Sequence, residues 1–137
     1  MNDNIALVKD IYAGFGRGDV GFILSSLASD VRWTLEGPAI LPYAGKRVGP
    51  SEVAGFFEAL ATTQTQQKLT IDEFIAAGDE VITVGRYAAR VNATGKYMDT
   101  ALAHVWTIKA GKITRFLDFA DTAGMAAAYE GASAARA

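Results

Sequence analysis

Ala101-Leu102-Ala103-His104-Val105-Trp106-Thr107-Ile108-Lys109-Ala110-Gly111-Lys112-Ile113-Thr114-Arg115-Phe116-Leu117-Asp118-Phe119-Ala120 reads as two strands, 101–108 and 112–120, joined by a glycine-bearing turn. Gly111 takes the third position of a loop over 109–111. That position suits a type I turn followed by a left-handed residue and a bulge. Such a loop pairs Ile108 with Lys112, His104 with Phe116 and Leu102 with Asp118. His104, Trp106, Phe116 and Asp118 then share one face. A two-residue loop shifts the pairing by one and sends Asp118 to the face opposite His104. The glycine position favours the first register. An imidazole and a carboxylate on one face beside two aromatic rings make an acid/base pair in an apolar setting. The competing reading is a hydrogen-bonded core histidine and a solvated Asp118, because such groups are often structural.

Upstream of the hairpin, Ile5, Val8, Ile11, Tyr12 and Phe15 form a helical stripe that Gly16 and Gly18 stop. Asp19 caps a second helix with Phe22, Ile23 and Leu27 inward. The period then changes to two at Val31, Trp33 and Leu35, a half-buried strand. Residues 37–49 hold three glycines and two prolines and read as an irregular loop, whose Ile40, Leu41 and Tyr43 suggest that it folds over something. Pro50 and Ser51 open a third helix with Val53, Phe56, Phe57 and Leu60 on one side. Adjacent phenylalanines on a helix do not face one way, so one of the two is expected to pack elsewhere. Strands follow over 68–77 and 80–93, and a short helix over 122–129. This order lacks regular βα alternation. The expected fold class is therefore α+β, with an antiparallel or mixed sheet wrapped by three helices around an apolar pocket. One domain over 1–130 is expected, with 131–137 a frayed tail.

Half of the 137 residues are hydrophobic, enough for a core without metals or disulfides, and there are no cysteines. Thiolate zinc sites and cysteine nucleophiles are thereby excluded, and a single histidine argues for no metal centre. The net charge of -2 comes from 13 basic and 15 acidic residues spread along the chain, with no basic run for nucleic acid. The polar start Met1-Asn2-Asp3-Asn4 and the lack of a stretch of roughly 18 apolar residues point away from secretion and membranes. A cytoplasmic protein is expected. Glycines at 14, 16, 18 and 21 follow no strand and make no nucleotide loop.

Trp33-Thr34-Leu35-Glu36-Gly37-Pro38, Leu41-Pro42-Tyr43-Ala44-Gly45 with Gly49 and Phe56-Phe57, and His104-Val105-Trp106 through Gly111-Lys112-Ile113 to Asp118 and Asp121 resemble SnoaL-like proteins. These belong to the nuclear-transport-factor-2-like (NTF2-like) superfamily, with polyketide cyclases, ketosteroid isomerase and limonene-epoxide hydrolase. The likeness covers roughly residues 4 to 130. It implies a cone-shaped, strongly curved sheet wrapped by helices, and one such scaffold hosts many chemistries. The cyclases' acid/base aspartate falls on Asp118 and its assisting histidine on His104. Two members of the epoxide hydrolases' Asp-Arg-Asp set fall on Arg86 and Asp118, but Ala88 stands at the water-activating position and cannot accept a proton. The isomerase base falls near Gly37, and its oxyanion tyrosine near Ile11, one residue from Tyr12.

These observations give Asp118 and His104 as the catalytic candidates. Arg86, Trp33, Tyr43, Phe56, Trp106, Phe116 and Tyr12 are the candidates for holding substrate, with Tyr43 in a pocket-lid role. The expected activity is cofactor-independent acid/base chemistry, of cyclase or isomerase type, on a small hydrophobic carbonyl compound. A non-catalytic small-molecule binding domain and a dimeric interaction module are the alternatives. Ile82 and Val84 on one face, with Val81 and Thr83 on the other, give a sheet needing two covers. A homodimer through the outer sheet face is therefore expected.

Overall fold

The computed structural model describes residues 3–131. The tail expected over 131–137 thus lies almost wholly outside the described residues. The elements run α1 (Asp3–Arg17), α2 (Val20–Ser25), β1 (Leu27–Leu35), β2 (Gly45–Val48), α3 (Pro50–Thr63), β3 (Gln64–Ala77), β4 (Glu80–Val91), β5 (Tyr97–Lys109), β6 (Lys112–Ala120) and α4 (Thr122–Tyr129). Six strands form one sheet in the order β2-β1-β6-β5-β4-β3. Only β1 and β6 pair in parallel, so the sheet is mixed. Among the described residues no helix is long and apolar enough to cross a membrane.

Side-chain alternation sorts the sheet into two faces. Val81, Thr83, Gly85, Tyr87, Ala89 and Val91 of β4 are buried, as are Met98, Thr100, Leu102, His104, Trp106 and Ile108 of β5. Val31, Trp33 and Leu35 of β1 and Phe116 of β6 complete the inner face. Helices α1 and α3 press Val8, Ile11, Val53, Phe56, Phe57 and Leu60 into the same core. The sequence-based elements differ from these in two places: Leu27 begins β1 rather than lying on α2, and the loop over 37–49 contains the short strand β2. The short helix expected over 122–129 is α4. Strand β2 forms because Gly45 to Val48 find unpaired backbone on the edge of β1.

The sheet bends because its ladders are interrupted. Register shifts occur in the β3–β4 pair between Thr65 and Lys68 and again between Ile71 and Glu73. A bulge of this kind kinks its strand and increases the local twist. Opposite the second bulge stands Gly85, where an added Cβ would lie 2.0 Å from the Thr70 carbonyl oxygen and 2.9 Å from the Ile71 Cα. No side chain fits between the two strands at that point, so the bend requires glycine.

The β5–β6 hairpin departs from its expected register in an instructive way. Its turn is the two-residue pair Ala110-Gly111, with φ of 51° and 73°, and Lys109 pairs with Lys112. Two consecutive left-handed residues make the turn whose twist suits a hairpin. Alone, that turn would point Asp118 away from His104. Thr114 is an extra residue in β6, however, because Ile108 pairs with Ile113 while Thr107 pairs with Arg115. The bulge restores the parity, and His104 faces Asp118 directly rather than Phe116.

Gly85→Ala is expected to destabilise the fold by about 1–3 kcal/mol through overpacking between β3 and β4. Chemical denaturation of the two proteins measures it, and an unchanged midpoint would show that the strands separate freely there.

Candidate active site

Three strands place a row of polar side chains across the inner face. Thr83 of β4 pairs with His104 of β5, which pairs with Asp118 of β6. From the opposite side α1 inserts Tyr12. Its hydroxyl lies 2.6 Å from Thr83 Oγ1 and 2.7 Å from His104 Nδ1, and it accepts the Trp106 Nε1–H at 3.0 Å. His104 Nε2 lies 3.3 Å from Asp118 Oδ1, and the two side chains are only 7% and 11% exposed. That separation is within ion-pair reach, but Asp118 Oδ1 accepts no well-formed hydrogen bond from the protein. Its lone pairs are left for another donor.

Counting protons assigns the histidine tautomer. A phenolic oxygen offers one proton and two acceptor sites, so three partners saturate Tyr12. With Trp106 donating, Tyr12 has one acceptor site and one proton left for Thr83 and His104. Thr83 is fully buried and its hydroxyl bonds only Tyr12. Its proton finds an acceptor only if Thr83 donates to Tyr12. Tyr12 must then donate to a bare His104 Nδ1, which leaves the imidazole neutral with its proton on Nε2, facing Asp118. Burial, the largest influence, pushes the Tyr12 phenol well above its ordinary value; the Thr83 and Trp106 bonds oppose this, and Asp118 adds to it. Tyr12 is thus a fixed neutral donor rather than a base.

Above this row is a cavity of about 70 Å³, walled by Trp33, Tyr43, Phe56, Trp106, Phe116, Asp118 and further apolar side chains. Trp33 stacks on Phe116 with ring centroids 4.0 Å apart, and meets Phe56 and Phe57 edge-on at 5.5 and 5.6 Å. Both phenylalanines therefore serve the same cavity, contrary to the helical-face expectation. The indole is large enough to span the angle between adjacent positions on α3. Tyr43 comes from the connection between β1 and β2 and is 1% exposed. Arg47 fixes it by donating from Nη1 to the Tyr43 carbonyl at 2.9 Å while lying over the Phe56 ring. The Tyr43 hydroxyl and Trp33 Nε1 make no well-formed hydrogen bond in the protein. Burial raises the Tyr43 phenol and, to a lesser extent, so does the nearby Tyr129, whose own hydroxyl bonds Thr63 and Gln64.

Arg86 is not at this site. In β4 the odd-numbered residues point inward, so Arg86 points out. It is 53% exposed at its side chain and pairs with Asp99 at 2.9 Å. Thr83 is the member that sequence reasoning missed as a site residue; its signal was a polar residue in an inward slot between Val81 and Gly85. Tyr87 also lines the cavity, with burial raising its phenol and the Gln67 bond opposing. Among the described residues no three histidine, aspartate or glutamate side chains gather closely enough to hold a metal ion.

The family model for the SnoaL-like domain matches residues 8–116. The chain belongs to the SnoaL-like family, within the NTF2-like fold. An uncharacterized protein of Mycobacterium tuberculosis (strain H37Rv) is 30% identical over 117 residues, covering 85% of this chain and 87% of that protein. An NTF2-like protein from Burkholderia thailandensis superposes with a TM-score of 0.86 at 34% identity, over 95% of this chain and 99% of the other. TerC, crystallised with polyporic acid, superposes at 0.84 with 30% identity, over 94% and 99% of the two chains.

The three raised phenols have a stability consequence. In the folded protein Tyr12, Tyr43 and Tyr87 hold their protons more tightly than in the unfolded chain, where the ordinary value is 10.0. Their contribution is fully present below about pH 10 and is lost as pH rises above it. Alkaline titration is expected to show these three tyrosines ionising together with unfolding, followed by tyrosinate absorbance and far-ultraviolet circular dichroism. Ionisation of all three while the fold persists would contradict their burial.

Proposed function

We propose that the protein is a cofactor-independent acid/base enzyme of the cyclase or isomerase type, acting on a small hydrophobic carbonyl compound. The observation that carries this reading is Asp118 Oδ1, buried on the cavity wall 3.3 Å from His104 Nε2 and without a hydrogen bond. A carboxylate in that position takes a proton from the carbon next to a carbonyl, and the C–H electron pair moves onto the carbonyl oxygen as an enolate. The Asp118 acid then returns the proton to another carbon, which isomerises the compound. Alternatively the enolate carbon attacks a second carbonyl, closing a ring, and the proton goes to the resulting alkoxide. His104 directs its Nε2 proton toward Asp118 or the enolate oxygen, and Tyr12 holds the imidazole in that tautomer as a positioning residue. The cavity of about 70 Å³ is smaller than the roughly 150 Å³ that takes benzene. A ring-shaped occupant must therefore displace flexible lining side chains such as Met125 and Leu69.

Proton abstraction is measurable without the natural substrate. Hydrophobic ketones incubated in D₂O are expected to exchange the hydrogens beside the carbonyl, followed by NMR. Polyporic acid, the compound crystallised with the 30% identical TerC, joins the ketones in a thermal-shift panel for binding. Asp118→Asn is expected to keep the fold at equal or higher stability and to lower exchange by about 10²- to 10⁴-fold. His104→Gln is expected to lower it less. Binding by several ketones without any exchange would replace this reading with that of a binding domain.

A homodimer through the outer sheet face is part of the same proposal. On that face Ile75, Ile82, Val105 and Leu117 form one cross-strand row, and Val84, Ala103 and Phe119 form the next. Phe119 is 57% exposed and Ile75 is 45% exposed. Apolar rows open to water on a sheet favour a partner. Light scattering is expected to give twice the chain mass for the wild type and the single mass for Ile75→Lys with Phe119→Lys. A wild-type monomer at micromolar concentration overturns the dimer.

A further inference from the structure

Of the side chains that line the cavity, two aromatic ones carry a buried polar atom that makes no well-formed hydrogen bond. Trp33 Nε1 and the Tyr43 hydroxyl are buried and neither makes a well-formed hydrogen bond within the protein, although the Tyr129 hydroxyl lies near enough to Tyr43 to act on its phenol. Trp33 is 2% exposed and Tyr43 is 1% exposed, and both line the cavity that Asp118 also lines. Leaving such a group unpaired is costly, which is why nearly all buried polar atoms are bonded. The neighbouring tyrosines show the usual outcome. Tyr12 has three partners, Tyr87 bonds Gln64 and Gln67, and Tyr129 bonds Thr63 and Gln64.

The two groups are not adaptable. Trp33 is clamped between Phe116 and the pair Phe56 and Phe57. Tyr43 is held by edge contacts with Phe56 and Tyr129 and by the Arg47 bond to its carbonyl. An indole N–H only donates, and a phenol donates readily, so the pair presents donors to an acceptor. No lysine or arginine lines the cavity, while a carboxylate does. An anionic ligand would meet repulsion there with no cation to offset it. The acceptor that fits is a neutral oxygen.

We propose that Trp33 Nε1–H and Tyr43 O–H form a second polar subsite that grips a neutral carbonyl oxygen of the ligand, apart from the carbon that Asp118 addresses. The substrate class is accordingly an uncharged, largely hydrocarbon ring compound bearing at least one ketone or quinone-type oxygen that accepts from this pair. The assignment rests on the acid/base reading only for the role of Asp118; the donor pair selects carbonyl compounds whether or not proton transfer follows.

Matched pairs of ketone and hydrocarbon test it: cyclohexanone with cyclohexane, 1-indanone with indane, and 1-tetralone with tetralin. The expected result is tighter binding of the ketone by about three- to tenfold, the effect of a net hydrogen bond. The chain has two tryptophans, so two indole N–H signals report the site by NMR. The Trp33 signal is expected to move downfield with the ketone and not with the hydrocarbon. Trp106, already bonded to Tyr12, is expected to move equally with both. Tyr43→Phe removes a hydroxyl without a partner, so the melting temperature is expected to hold or rise while the ketone preference shrinks several-fold.

A lower melting temperature for Tyr43→Phe by several degrees would mean that the hydroxyl is bonded within the fold, and would overturn the subsite. So would equal binding, or binding of neither member, across all pairs. The same ketones in D₂O keep the two proposals apart. Ketone preference without hydrogen exchange sinks the proton-transfer reading and leaves the subsite standing. Exchange without ketone preference does the reverse.

Discussion

In an antiparallel pair every side chain alternates between faces, so inserting a single residue turns over the remainder of a strand. Thr114 is that residue in β6. Between it and the turn, pairing follows the two-residue loop Ala110-Gly111; beyond it, Arg115, Phe116, Leu117 and Asp118 are each advanced by one. Without the bulge, Leu117 would face inward beside His104 and Asp118 would stand in water. With it, Phe116 reaches the Trp33 ring at 4.0 Å and Asp118 reaches His104 at 3.3 Å. The same insertion therefore sets the aromatic floor and the acid/base pair, and neither can be moved without the other.

The His104 ring beside the Asp118 carboxyl is held in place by its neighbours. The Tyr12, Thr83 and Trp106 bonds fix the imidazole from its Nδ1 side, and each of them comes from a different element. Helix α1 contributes Tyr12, β4 contributes Thr83 and β5 contributes Trp106. Rotating the ring breaks the Tyr12 bond and leaves the Tyr12 hydroxyl proton without an acceptor. The network thus gives the imidazole one orientation, at a site whose strands are already fixed by their ladders.

Much of this was legible in the sequence where local rules apply. The period-two run at Val31, Trp33 and Leu35, the Asp19 cap on Phe22 N–H, and proline at the start of α3 each depend on near neighbours. The two faces of β4 were legible too, but not which one points inward: the structure buries Val81 and Thr83, which puts Arg86 outward, and only the family resemblance had drawn it toward Asp118. The Thr114 bulge was not legible, because a bulge is decided by which of two pairings buries the better face, and both readings of the loop contain the same glycine. Nor was the company of Tyr12. Its partner His104 is 92 residues away, and the helical stripe gave only that Tyr12 borders the apolar face. Strand β2 escaped notice since an edge strand of four residues forms on an existing template rather than from its own propensity.

The polar atoms that lack partners are not scattered. Among the described residues, the buried side-chain atoms without a hydrogen bond are Trp33 Nε1, the Tyr43 hydroxyl and Asp118 Oδ1, and all three residues line one cavity. Elsewhere the core closes its polar networks with care, as between Gln64, Gln67, Tyr87 and Tyr129. A sequence under pressure for stability alone has cheap remedies here, since phenylalanine in place of Tyr43 or asparagine in place of Asp118 keeps the shape. Each unpaired group costs about 1–3 kcal/mol. Three such costs confined to one apolar wall, two donors and one acceptor, form the pattern that strain takes when it is concentrated at a site instead of spread through a fold.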